Sequence, residues 1–273
     1  MNQVLEQKHE TKSDSEWQRS QYEQTMVQLY LDVLKELKQE IDSNAKILDF
    51  GCGDGQAVYH YRKMGLGAFG VDIVNKYDSA QKLCKEEWLF KEDEDIFRTI
   101  DMDSYRLPFD DNTFDFVVSD QVFEHVQNWP QALEEIKRVL KPGGSALHVF
   151  PSRYRPIEGH ILVPLAGIFQ GYPYLAFWAF LGIRNSFQQQ LSWKKVAALN
   201  YEYLRNCTTY YRKVKIKELV TAEFGNVIFV EGIFIEHQFD RIGRYLAPLS
   251  RKLPFVSSLF CTFHSRVVFF KKL

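Results

Sequence analysis

The stretch Asp49-Phe50-Gly51-Cys52-Gly53-Asp54-Gly55 (DFGCGDG) follows an apolar strand pattern and precedes a helical one. Glycine tolerates a positive φ and lets a ligand approach the backbone closely. A glycine-rich turn between a strand and a helix also exposes backbone N–H groups at the start of that helix. The turn is therefore a candidate ligand-binding loop, although a purely structural turn could use the same glycines.

Strand and helix patterns alternate on both sides of this turn. The predicted strands are residues 45–50, 68–74, 97–101, 114–119 and 145–150, and the predicted helices are residues 16–41, 56–64, 76–90 and 130–140. Residues 215–224 predict a further helix that ends at Gly225, and residues 227–233 and 266–270 predict two last strands. Such alternation favours parallel pairing with right-handed crossovers. The sequence thus predicts an α/β, Rossmann-like, doubly wound sheet of seven mostly parallel strands.

The glycine-rich turn resembles motif I of the class I S-adenosylmethionine-dependent methyltransferases, in which an acidic residue precedes GxGxG. Further segments resemble the family's later motifs in the same order: Asp72 after the second strand, residues 103–109 (DSYRLPF), residues 119–126 (SDQVFEHV) and residues 138–144 (RVLKPGG). The resemblance spans residues 45–151 and is closest to methyltransferase type 11 domains. Because ligands of doubly wound sheets bind at the carboxyl ends of the strands, the motif positions agree with that fold.

The resemblance implies S-adenosyl-L-methionine as the cofactor and S-adenosyl-L-homocysteine as its product. It assigns Asp49 to the surroundings of the cofactor's amino group, Asp72 to the ribose hydroxyls and Asp103 to the adenine amino group, with Asp101 as a rival for the last role. The complete expected set is Asp49, Phe50, Gly51, Cys52, Gly53, Gly55, Asp72, Ile73, Asp103, Ser104, Asp120 and Gln121. We expect no metal ion in this site.

Methyl transfer to a hydroxyl group is helped by a general base, because the hydroxyl proton must leave as the new bond forms. The candidates are His125, His160, Glu158 and Glu124. His125 is the first choice, because its segment flanks the transferred methyl group in the family, and His160 precedes an apolar stretch. A histidine that simply bonds to backbone would be equally ordinary at either place. Glu158, Tyr172 and Tyr174 are weaker candidates for contact with the acceptor.

The composition of the chain restricts the classes of partner and the cellular compartment that we expect. The formal net charge is -1, so no overall basic field attracts nucleic acid, and we expect none as a partner. The four cysteines form no CxxC pair, and the amino terminus has no apolar leader, which favours a cytoplasmic protein with reduced thiols. A small-molecule or lipid-linked acceptor fits best, and the oligomeric state does not follow from the sequence.

The sequence divides into five parts that differ in composition and in predicted secondary structure. We predict a flexible tail over residues 1–15, an N-terminal helical region over 16–44, a cofactor-binding core over 45–151, an apolar cap or acceptor region over 152–213, and a carboxyl-terminal part over 214–273 that completes the sheet. Residues 161–183 carry no charge, but two prolines interrupt them, so a cap is favoured over a membrane-dipping element and more strongly over a span. Either this stretch or the basic amphipathic residues 241–253 could contact the inner face of a membrane.

Three functions remain open on these residues. The first is a methyltransferase, most simply an O-methyltransferase acting on a small-molecule, glycolipid or lipid-linked acceptor. The second is a methyltransferase-like module that binds without catalysis. The third is a nicotinamide-dependent oxidoreductase, which is disfavoured because Gln56 stands where the GxGxxG fingerprint requires its last glycine.

Overall fold

The computed structural model describes residues 2–91, 94–101, 104–237, 248–249 and 252–273. Its helices are α1 (Asn2–Glu36), α2 (Gln56–Lys63), α3 (Asp78–Glu86), α4 (Trp129–Val139), α5 (Tyr172–Phe180), α6 (Trp193–Cys207), α7 (Lys213–Phe224), α8 (Glu231–His237) and α9 (Pro254–Phe263). Its strands are β1 (Lys46–Phe50), β2 (Gly67–Asp72), β3 (Phe97–Thr99), β4 (Phe114–Asp120), β5 (Leu140–Pro151), β6 (Ile228–Phe229) and β7 (Ser265–Lys271). Short 3-10 turns lie at Phe123–His125 and Ser186–Gln188.

Within these residues, seven strands form one sheet in the order β3-β2-β1-β4-β5-β7-β6, in which only β7 runs antiparallel to its neighbours. Asp49 of β1 pairs with Gly70 of β2 on one side and with Val118 of β4 on the other. The strand order reverses between β1 and β4, so the loops after these two strands leave the sheet in opposite directions and open a crevice. The predicted α/β fold with a mostly parallel seven-stranded sheet is confirmed.

The sixth strand is shorter than predicted, and the expectation of a strand over residues 227–233 is wrong beyond Phe229. A helix begins at Glu231, where the Phe234 N–H donates to the Val230 carbonyl at 3.0 Å. Val230 and Phe234 are both buried. Because they are four residues apart, they occupy one face of a helix, and this apolar pattern fits a helix as well as a strand.

The first helix begins at Asn2, so it includes the residues for which the sequence predicts a flexible tail. The segment is rich in Glu, Gln and Lys, which are good helix formers. Further along α1, Val27, Tyr30 and Val33 are buried in the main core. This packing places one face of α1 over the glycine-rich turn.

Residues 152–213, which we call the cap, contain an apolar cluster that is separate from the main core. In it, α5 packs against α6, and the buried members of the cluster are Ile161, Val163, Ala166, Leu175, Leu204 and Tyr210. Phe177 and Phe180 of α5 are more than half exposed. Among the described helices, none has both the length and the apolar composition that crossing a bilayer requires.

Candidate active site

The glycine-rich turn is fastened to the strand beside it. The N–H groups of Gly51 and Cys52 both donate to the Val71 carbonyl, at 2.8 and 3.0 Å. The Gly53 N–H donates to the Asp72 carboxylate at 2.8 Å. Asp72 therefore fixes the turn directly, which is a role that the sequence did not predict for it.

Three glycines of the turn have left-handed backbones, with φ of +81° at Gly51, +55° at Gly53 and +78° at Gly55. A Cβ atom at Gly51 would lie 2.4 Å from Val122, and one at Gly55 would lie 2.6 Å from the Phe97 ring. A Cβ atom at Gly53 would have no atom within 4 Å. Gly51 and Gly55 are thus required by packing, whereas Gly53 leaves open backbone that a ligand can approach.

A cavity of about 300 Å³ lies above this turn, at the carboxyl ends of β1 and β4. Its lining from the sheet and the turn includes Asp49, Gly51, Cys52, Gly53, Asp54, Asp120 and Gln121. Its lining from α1 is Arg19, Tyr22, Glu23, Met26, Val27 and Tyr30. Six of the twelve predicted cofactor residues therefore line one cavity.

The cavity concentrates carboxylates. Burial, followed by the charges of Glu23 and Asp120, raises the pKa of Asp49 well above its ordinary value. Burial, together with Asp120 and Asp54, raises the pKa of Glu23 to about 7 against the effect of Arg19. Burial also raises the pKa of Asp120 to about 6. Such mutual repulsion is relieved by a positive charge, so the cavity favours a cationic ligand.

The other predicted cofactor residues that the structure describes are not part of the lining of this cavity. Phe50 is buried against Phe123, with ring centroids 6.0 Å apart. Ile73 is 55% exposed just beyond β2. The Ser104 hydroxyl donates to the Asp101 carbonyl at 3.3 Å. Asp103 lies outside the described residues.

Among the lining residues, the α1 set was missed by sequence reasoning. Arg19, Glu23, Met26 and Tyr30 are spaced by four, three and four residues, which places them on one face of a helix. Arg19 forms an ion pair with Asp54 of the turn at 3.0 Å. Charged residues within the predicted apolar stripe of this helix were the available signal that the stripe reaches a polar site.

A second group of side chains follows β4 directly. The His125 Nδ1 lies 2.7 Å from the Cys207 carbonyl oxygen. Because a carbonyl only accepts, Nδ1 carries the proton and donates it, which leaves the Nε2 lone pair available in the neutral ring. Burial lowers the pKa of His125, and the bond to Cys207 opposes that shift. His125 is thus a neutral base near neutral pH.

The pKa of His160 is shifted in the opposite direction. Its Nδ1 lies 2.8 Å from the Glu158 carboxylate, and this hydrogen bond raises the pKa of His160. Glu158 also accepts from the His160 and Ile161 N–H groups at 2.8 Å and from the Tyr210 hydroxyl at 2.7 Å. Burial opposes these hydrogen bonds, but together they lower the pKa of Glu158 to about 2.

The structure brings the two predicted catalytic histidines together. The His125 and His160 ring centroids are 4.8 Å apart, and the His160 and Tyr203 rings are 5.4 Å apart. Tyr172 instead contacts Tyr201, at 5.9 Å between centroids, and the Tyr174 hydroxyl donates to the Pro164 carbonyl at 2.7 Å. Neither of these two tyrosines lies beside the histidine pair.

Glu124, a further candidate base from the sequence, also lies in this region. Its side chain is buried, and neither carboxylate oxygen has a hydrogen-bond partner among the described residues. The nearer oxygen lies 3.8 Å from the His125 Nε2. Burial raises the pKa of Glu124 to about 8. Glu124 is therefore protonated at neutral pH, and its acid group lies next to the free nitrogen of His125.

A comparison with known protein families identifies the part of the chain that contains this site. The model of a methyltransferase domain family matches residues 48–148, which run from β1 into β5. Residues 48–148 form a class I S-adenosylmethionine-dependent methyltransferase domain. The matched segment contains both the glycine-rich turn and His125, while the cap lies outside it.

Individual relatives match parts of the chain. An uncharacterized methyltransferase of Schizosaccharomyces pombe is 42% identical over 107 residues, which cover 36% of this chain and 37% of that protein. The sterol 4-C-methyltransferase strm-1 of Caenorhabditis elegans is 30% identical over 107 residues, 39% of this chain and 31% of its own. The chain thus spans about a third of the length of these curated relatives. Among solved structures, the Haemonchus contortus phosphoethanolamine N-methyltransferase 2 in complex with S-adenosyl-L-methionine is 16% identical, with a TM-score of 0.48 over 89% of this chain and 51% of that chain.

Proposed function

We propose that the whole chain is an S-adenosylmethionine-dependent methyltransferase that methylates a hydroxyl group of a small-molecule or lipid-linked acceptor. The observation that carries the proposal is the acidic cavity beside Gly53. The pKa values of Asp49, Glu23 and Asp120 are raised, and Arg19 is the one basic residue in the described lining. A ligand with an ammonium and a sulfonium group would supply further positive charge.

The residues present fit this cofactor. Asp49, Glu23 and Asp120 are the groups that would hold its positive charges, and the open backbone at Gly53 would receive its chain. Asp72 keeps a hydrogen bond to Gly53, so it would shape the turn and offer its other oxygen to the ribose hydroxyls. When bound, the cofactor supplies an activated methyl group on a sulfonium.

His125 is the base of the proposed reaction. Its Nδ1–H is held by the Cys207 carbonyl, so the ring is oriented and Nε2 can accept the acceptor's hydroxyl proton. With the cofactor bound, His125 Nε2 would take up the proton that the acceptor hydroxyl loses as it is methylated, and would hold it until it passes to solvent. Glu158 fixes His160 beside this ring as a positioning contact.

Exposed aromatic and basic side chains on the cap support lipid-linked acceptors and peripheral membrane contact as parts of the proposed function. Exposed Phe180 contacts exposed Trp193 at 5.9 Å between centroids, and the Lys194 ammonium lies 5.6 Å from the Trp193 ring centre. Exposed aromatic rings with adjacent lysines are typical of surfaces that rest in the headgroup region of anionic membranes. Cosedimentation with phosphatidylglycerol vesicles, and its loss in Phe180→Ser, would test this contact.

The proposal is tested first on the cofactor. Asp72→Ala should weaken S-adenosylmethionine binding by about 1–3 kcal/mol, because hydrogen bonds to the turn and to the polar ligand are lost together. Asp110→Ala, an exposed acid outside the cavity, is the matched control. Equal affinity in the wild type and Asp72→Ala would contradict the assignment of this cavity. Binding without turnover across a broad hydroxyl-acceptor screen would leave a binding module in place of an enzyme.

A further inference from the structure

The cap contains a groove that is separate from the cofactor cavity. It has a volume of about 800 Å³ and runs between residues 159–162, the turn at Ser186–Gln188 and α6. We call it the cap groove. His160, Tyr203 and Cys207 belong to its lining, and the carbonyl of Cys207 is the group that holds His125. One end of the cap groove is therefore in contact with the histidine pair.

Two buried amides form part of the wall of the cap groove. The Gln188 Nε2 donates to the Asn200 Oδ1 at 2.7 Å, and the Gln188 Oε1 accepts from the Asn185 N–H at 3.2 Å. Asn200 is fully buried, and its Nδ2 has no hydrogen-bond partner among the described residues. A buried donor without an acceptor is unfavourable, so this amide is suited to a ligand oxygen.

The charge of the cap groove restricts that ligand. Its described lining contains no lysine or arginine, and its only carboxylate is the exposed Glu202. A phosphate or sulfate group would find His160 as the one cationic side chain there. Apolar contact is available instead from Ile161, Leu199 and the ring of Tyr203. Amides beside aromatic and aliphatic surface are suited to a neutral molecule that carries hydroxyl groups.

We propose that the cap groove is the acceptor site and that it takes a neutral, hydroxyl-bearing molecule with an apolar part, one of whose oxygens accepts from the Asn200 amide. The inference rests on the proposed methyltransferase function. It goes beyond that function by assigning the acceptor to specific residues of the cap and by excluding anionic headgroups from the groove. His160 and Tyr203 then form the wall along which the acceptor hydroxyl reaches His125.

Cys207 is a natural reporter for this site. It is exposed and lines the cap groove, whereas the other three cysteines are buried. The rate of Cys207 alkylation by N-ethylmaleimide, followed by mass spectrometry, therefore measures occupancy of the groove without any requirement for turnover. Octyl glucoside below its micelle concentration is the neutral probe, and octyl phosphate is the anionic probe with the same chain.

We expect octyl glucoside to slow alkylation of Cys207 at least threefold and octyl phosphate to leave it unchanged. In Asn200→Asp the donor is lost at constant size, and protection should require about three- to tenfold more octyl glucoside, the usual effect of one hydrogen bond. The matched control is Gln190→Glu, an exposed amide outside the cap groove, which should behave as the wild type. Thermal unfolding of each variant shows that the fold is retained.

Two results would overturn the inference: no protection of the wild type by octyl glucoside, or equal protection by the two probes. Unchanged protection in a folded Asn200→Asp protein would remove Asn200 from the site. Failure of the proposed function is distinguishable, because it appears as absent S-adenosylmethionine binding in a separate titration. That titration concerns the cavity beside Gly53 and should be unaffected by Asn200→Asp.

Discussion

The pKa values of buried carboxylates are shifted in opposite directions in the cofactor cavity and in the cap. Around the cavity, burial raises the pKa values of Asp49, Glu23 and Asp120, and the charge of Asp120 raises those of Asp49 and Glu23 further. In the cap, Glu158 is also buried, but hydrogen bonds from His160, Ile161 and Tyr210 lower its pKa to about 2. The difference teaches how to interpret a buried acid. An acid whose hydrogen bonds outweigh its burial belongs to the scaffold, whereas a group of neighbouring acids whose burial prevails indicates a cationic ligand.

The largest expected effect concerns His125, which follows β4 and donates to the Cys207 carbonyl of the cap. His125→Ala should reduce the methyl-transfer rate by about 10²–10⁴-fold, because the acceptor proton loses its base. Since the pKa of His125 is lowered, the wild-type rate should fall only below about pH 6.5, where the ring becomes charged. Initial rates with a radiolabelled methyl group, measured from pH 5 to 8, check this. A full rate in His125→Ala would contradict the assignment of the base.

The next largest effect concerns the turn beneath the cavity. Gly55→Ala should lower the free energy of unfolding by about 2–4 kcal/mol, because the left-handed backbone and the contact with Phe97 both oppose a side chain. Gly53→Ala is the matched control, with the same backbone region but open space, and should cost about 1–2 kcal/mol. Urea unfolding without cofactor measures both. Equal losses would mean that packing does not distinguish the two glycines.

Glu158→Gln tests the buried acid of the cap that accepts hydrogen bonds from neighbouring residues. A group whose pKa is lowered on folding stabilises the protein above its unfolded value and loses that effect as the pH falls through its folded value. We therefore expect Glu158→Gln to be less stable than the wild type by about 1–3 kcal/mol at pH 7. The gap should narrow from about pH 4.5 towards pH 2. A gap that stays constant over this range would show that the charge of Glu158 is not what the donors stabilise.

Glu23→Gln tests an acid whose pKa is raised rather than lowered, and it should have the smallest effect, with the opposite sign. A raised pKa means that stability is present below the unfolded value and is lost as the pH rises through the folded value of about 7. Without cofactor, Glu23→Gln should be more stable than the wild type at pH 8, by about 1 kcal/mol or a few degrees in Tm. The two proteins should converge near pH 4. A lower Tm at pH 8 would refute the repulsion between the cavity acids.

The sequence predicts the sheet and the turn well because their signals are local. Gly51, Gly53 and Asp49 stand within five residues, and the parallel pairing of the strands follows from their alternation with helices. The α1 wall of the cavity and the contact of Glu158 with Tyr210 were not predicted. The latter joins residues 52 positions apart, and no periodicity marks such a pairing. Long-range contacts of this kind depend on how the cap folds over the sheet, which the pattern of a single segment does not encode.

Calorimetric titration with S-adenosylmethionine, and separately with S-adenosylhomocysteine, tests the central claim most directly. The account predicts micromolar binding of both ligands, with affinity for S-adenosylmethionine that rises with pH as Asp120 and Glu23 ionise between about pH 6 and 7. Absence of binding by a folded sample across this range would contradict it.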